Sequence, residues 1–173
     1  MTSNVEEQFD SRGLILGVFR GVRSFRIDPE GFLTGVVYRQ RWTPGVNKAV
    51  CNRSVYQIPY YAYGATGYEP PMLPEDHGLD VCRHGFYAYG DDSNDYHQPG
   101  FVSGVIAGWG KEVSIGSRGF RCMRAAIVAL CVSEVRITER ERTELVPINY
   151  PEARLFDTFA EMVAAYPPDF PEV

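Results

Sequence analysis

No stretch of the sequence approaches the roughly 18 consecutive apolar residues that a membrane-spanning helix needs. Its first ten residues carry Glu6, Glu7 and Asp10 and have neither the basic nor the apolar region of a secretory signal. These two absences predict a cytoplasmic protein without membrane contact. Complete catalytic signatures are missing too. Gly108-Trp109-Gly110 is followed by Val113 where a dinucleotide loop needs its third glycine. Gly110-Lys111 has neither the earlier Gly nor the following Ser/Thr of a phosphate loop. Asp91, Ser93 and Asp95 begin like a calcium loop, but Tyr96 stands where the sharp turn needs Gly and Val102 where the bidentate Glu belongs. No GxSxG or HExxH occurs, and a Cys/His dyad is defined by spatial contact that a sequence does not reveal.

What is present is the composition of an ordinary globular domain: 173 residues, 45% hydrophobic and 23% charged. Residues 1–12 read as a tail and 13–173 as one domain. In Gly13–Val50, apolar residues alternate with small or basic ones up to Ile27, and Asp28-Pro29-Glu30-Gly31 supplies turn chemistry. A return strand is expected over Phe32–Trp42, closed by Thr43-Pro44-Gly45. Residues 52–100 form a loop-rich insert. Phe101–Val132 is β-branched and punctuated by glycine, which predicts two or three strands. RITERERTEL alternates charges and fits either a solvated strand edge or a short helix. Leu155, Phe156, Phe159, Met162, Val163 and Tyr166 share one helical face, predicting a C-terminal helix over 150–166 that is stopped by Pro167-Pro168. The expected class is α+β, mainly β: an antiparallel sheet with one C-terminal helix packed on it and a long irregular loop.

Within that loop lie the residues with the clearest chemistry. Cys51, His77, Cys82 and His84 are four zinc-type donors in a segment rich in Pro and Gly, and a structural zinc there would staple the loop without doing catalysis. The competing reading is two buried thiols and two surface histidines. Cys122 and Cys131 lie in apolar segments and read as core thiols. Tyr56, Tyr60, Tyr61, Tyr63 and Tyr68 are dense enough for a recognition surface, though the same residues can simply pave the domain. Charge is segregated. Residues 12–53 hold eight Arg/Lys against Asp28 and Glu30, whereas 69–95 hold seven carboxylates against Arg83 and 144–173 hold six against Arg154. Such blocks either steer a charged partner or cancel in the fold.

The runs GVRSFRIDPEGFL, W-TPG-VNKAVC (42–51), C-R-HGFYAY (82–89) and GVIAGWGKEVSIGSRGFR with AAIVAL resemble a group of small uncharacterised proteins of actinobacteria and their phages. The resemblance covers about Gly13 to Leu130, and His84 stands where that group tends to carry a second Cys. It implies no established activity. Together the residues and the resemblance predict a non-enzymatic protein-binding module, in a phage setting an accessory protein acting on a host protein in the host cytoplasm. Its partner would be a host or self protein. The second reading is a nucleic-acid-associated protein using Arg20–Arg41 with Phe19, Phe25, Tyr38 and Trp42 as stacking groups. The net charge of −5 opposes that reading. A third is an enzyme with a site near His84, Tyr87 and His97.

Overall fold

The computed structural model describes residues 17–37, 39–51, 78–79, 84–90, 100–133, 135 and 140–171. Over these the chain is mainly sheet: β1 (Phe19–Ile27), β2 (Leu33–Gly35), β3 (Asn47–Lys48), β4 (Phe86–Tyr89), β5 (Val102–Gly116), β6 (Gly119–Cys131) and β7 (Arg154–Phe156). Three short helices accompany it: α1 (Arg140–Thr143), α2 (Val146–Asn149) and α3 (Phe159–Ala165). The sheet is antiparallel except that β7 runs parallel to β6.

The Asp28–Gly31 turn forms as its residues dictate. Asp28 Oδ1 accepts from the amides of Glu30 (2.9 Å) and Phe32 (3.0 Å), and Gly31 takes the left-handed φ of 80° that the turn requires. The return strand is shorter than expected. It ends at Gly35, bends at Val36–Val37, and pairs with its own continuation, Trp42 N–H donating to Leu33 O at 2.8 Å. The second bond of that pair is relayed. Tyr150 Oη accepts from Leu33 N–H (2.7 Å) and donates to Trp42 O (2.8 Å), so a phenol stands in the ladder where the backbones separate.

The two or three strands expected over 101–132 are two long ones that form one hairpin, β5–β6, turning at Ser117-Arg118 and bulged between Trp109 and Val113. β4 was not anticipated. FYAY lies inside the expected loop, yet it bridges the free sides of β1 and β6, with Val22 opposite Tyr89 and Phe86–Tyr89 opposite Cys122–Gly119. As β1 also pairs β5, and β5 pairs β6, the strands close a ring β1–β5–β6–β4. Its interior is tight. A Cβ on Gly108 would lie 2.5 Å from Cys122 Sγ and 2.6 Å from the Phe120 ring, so only glycine lets the wall approach.

Inside and beside the ring, Phe25, Trp42 and Phe86 stack edge to face or tilted, with ring centroids at 5.3 and 4.4 Å. The outer side of the sheet carries a smaller cluster: Val22, Val105, Ala129 and Cys131 beneath Phe159 and Met162 of α3. The C-terminal helix is thus real and packed as expected, but its start is corrected from 150 to Phe159. Leu155 and Phe156 belong to β7, because pairing beside Leu130 and Cys131 satisfies their backbone. Leu155 is 39% exposed rather than part of a buried stripe. Thr158 starts the helix as its N-cap, its hydroxyl oxygen accepting from Glu161 N–H at 3.2 Å while the hydroxyl donates to Glu161 Oε2 at 3.0 Å. Of the charged link, residues 140–143 are helical.

Candidate functional site

β6 has one side fully taken by β5; its other side is shared. β3 follows it to Met123, whose carbonyl accepts from Ala49 N–H at 2.9 Å, and β4 takes over at Cys122. The chain after Ala49 and the chain before Phe86 therefore both leave β6 at the Cys122–Met123 step. Those two departures carry Cys51 and His84, so two of the four expected zinc donors stand two residues beyond the same step of β6. Cys51 is half-buried, and His84 is 4% exposed, which removes the surface-histidine alternative for that residue. His77 and Cys82 lie outside the described residues, as do Tyr56, Tyr60, Tyr61, Tyr63, Tyr68, Tyr38 and His97.

The approach to His84 is pinned by charge. Leu79 N–H donates to Glu112 Oε2 (2.9 Å), Arg121 donates to Leu79 O (2.6 Å), and Arg121 reaches His84 O at 3.4 Å. Glu112 comes from the β5 bulge and Arg121 from β6, so the irregular hairpin clamps the end of the insert by charge-assisted bonds. Sequence reading missed this clamp, since neither residue lies near position 79 in the chain.

The Arg-rich hairpin is spent internally. Arg23 donates to Tyr87 O at 2.7 Å with its guanidinium 5.3 Å from the Trp42 ring centroid, and Arg26 donates to Val36 O. Arg41 bridges Asp28 and Glu30, and Arg20 meets Asp169. Three of the four expected stacking groups, Phe19, Phe25 and Trp42, are buried at 6%, 0% and 0%. Bases cannot reach them, which corrects that part of the nucleic-acid reading. Cys122 is a core thiol as expected. Burial pushes its pKa up to about 12, although the nearby Arg23 charge favours the thiolate.

A different surface does present chemistry. Register pairs Trp109 with Arg124 and Arg124 with Lys48, a row across β5, β6 and β3. The adjacent row of Gly108, Ala125 and Asn47 faces the interior, so this one faces outward, and Arg124 and Lys48 are exposed. Val46 and Val50, two residues either side of Lys48, are 59% and 67% exposed. The free edge of β3 is covered by the Gln40 amide, which donates to Lys48 O (2.8 Å) and accepts from Val50 N–H (3.1 Å). The exposed part of β3 is therefore its face and not its edge. Among the described residues no helix is long and apolar enough to cross a membrane. The chain matches no protein-family model, no curated protein and no solved structure.

Proposed function

We propose that the chain is a non-enzymatic protein-binding module whose contact surface is the outward row Trp109–Arg124–Lys48 with Val46 and Val50. The observation that carries this reading is the grouping of one half-buried aromatic, two exposed cations and two exposed aliphatics on a rigid three-stranded face. Tryptophan and arginine are the residues that anchor protein interfaces, and the cations select a partner surface bearing carboxylates. In the setting that the resemblance implies, the module is a phage accessory protein in the host cytoplasm, acting on a host protein, and the occupant of this face is a host or self protein. A structural zinc held by Cys51, His77, Cys82 and His84 staples the insert beside this face. The departure of Cys51 and His84 from the same step of β6 supports that site, and thiolate and imidazole are its natural donors.

A photo-crosslinking phenylalanine in place of Trp109, with one at the hairpin tip in place of Ser117 as control, tests the reading in nuclease-treated lysate. A protein adduct formed from position 109 alone and lost on Lys48→Glu supports it. Adducts to nucleic acid, or none from position 109, overturn it. Elemental analysis tests the staple: zinc near one equivalent is expected, falling in Cys82→Ser.

A further inference from the structure

We infer that the partner fitted by this face is a second copy of the chain, bound about a two-fold axis; the inference rests on the reading of the face given above. The outer side of the sheet has two unlike halves. At one end α3 covers Val22, Val105 and Ala129. Further along the same strands, past the pair Ala107–Ala126, the row of Trp109, Arg124 and Lys48 is open to solvent at Arg124 and Lys48, with Trp109 half-buried. The covering half carries more carboxylate than cation: Asp157 and Glu161 at the start of α3 are exposed, Arg154 of β7 lies over the Phe156 ring, and Ala160 and Ala164 leave the outward side of the helix smooth, whereas the other half presents Arg124 and Lys48. A two-fold axis lying in the plane of contact, between the halves, sets each α3 over the other copy's row of Trp109, Arg124 and Lys48. Carboxylates then meet Arg124 and Lys48 twice over, and the helix surface covers Trp109, Val46 and Val50. Such a contact is isologous, so it closes at two copies, and its charges fix the register.

Sedimentation of the full chain at about 100 µM, a concentration suited to micromolar association, reads the outcome. A dimer is expected, weakening about tenfold or more as salt rises from about 0.05 to 0.5 M. Lys48→Glu with Arg124→Glu gives monomer, as does Asp157→Lys with Glu161→Lys. Mixing the two double variants restores a dimer of one copy of each, since every reversed charge again faces its opposite. Circular dichroism confirms that each variant is folded. Monomeric wild-type protein, a dimer indifferent to both reversals, or no recovery on mixing overturns the inference. If the protein is monomeric yet position 109 still crosslinks another protein, the binding reading stands and only the identity of the partner is wrong. If neither occurs, both fall.

Discussion

The two apolar clusters on either side of the sheet are built by different means. The inner one draws Phe25, Leu33, Trp42, Phe86, Ile106 and Tyr150 from six separate parts of the chain and ties them with polar pins, the Tyr150 hydroxyl and the Arg23 guanidinium. The outer one has six buried residues and rests on a single helix of seven. A cluster held from many directions has no local route to opening, whereas one that depends on a single short element opens when that element lifts. The contrast between inside and outside is therefore one of cooperativity as much as of size.

The largest expected effect sharpens the contrast from the inner side. Trp42→Ala removes a fully buried ring between Phe25 and Phe86 and should cost about 3–5 kcal/mol, unfolding the chain as a whole in denaturant. Met162→Ala attacks the outer cluster and should cost about 2–4 kcal/mol. Its signature is local: hydrogen exchange should accelerate in α3 and β7 before β1 and β5. Equal acceleration everywhere would show that the two clusters open together and would erase the distinction.

Tyr150→Phe leaves Leu33 N–H and Trp42 O without their relay inside the core and should cost about 1–3 kcal/mol. The same residue gives a pH test. Burial raises the Tyr150 pKa to about 12 from 10.0 and that of Cys122 to about 12 from 9.0. Folded protein thus holds both protons more tightly than unfolded chain, so this stability is whole below pH 9 and declines as pH rises toward 12. Thermal melts should show that alkaline decline, and Tyr150→Phe should flatten its upper part. The smallest effect is Thr158→Ala, which deletes the α3 cap for about 1 kcal/mol and should fray only the outer cluster.

How much of this was legible depends on how local the cause is. The DPEG and TPG turns, the β5–β6 hairpin and the presence of a C-terminal helix follow from residues within a few positions of one another. The helix start was misplaced at 150, because the apolar spacing at Leu155 and Phe156 fits a helix as well as a strand and only pairing with distant β6 decides. FYAY read as loop because its neighbours are β1 and β6, far off in the chain. The arginines of β1 read as a charged surface because alternation assigns a face but not its direction, and Arg23 turns inward onto Trp42. Of the four expected zinc donors, Cys51 and His84 leave β6 at one step, which needed the handover between β3 and β4 to be seen; His77 and Cys82 lie outside the described residues. The outward row of Trp109, Arg124 and Lys48 was invisible, since it exists only through register.

The closed ring also sets a tempo. β4 lies between its two neighbours in the chain order and joins the first and last of the ring strands; the β5–β6 hairpin supplies its partners Gly119–Cys122, whereas β1 supplies only Val22 opposite Tyr89. FYAY can dock on β6 once the hairpin tip has formed, but the ring closes only when β1 meets both β5 and Tyr89, contacts far apart in the chain whose loop-closure cost precedes their gain. A nascent chain on the ribosome therefore lacks the β6 partners of β4 until Gly119–Cys122 has emerged, and β1 waits longest of all for its place in the ring.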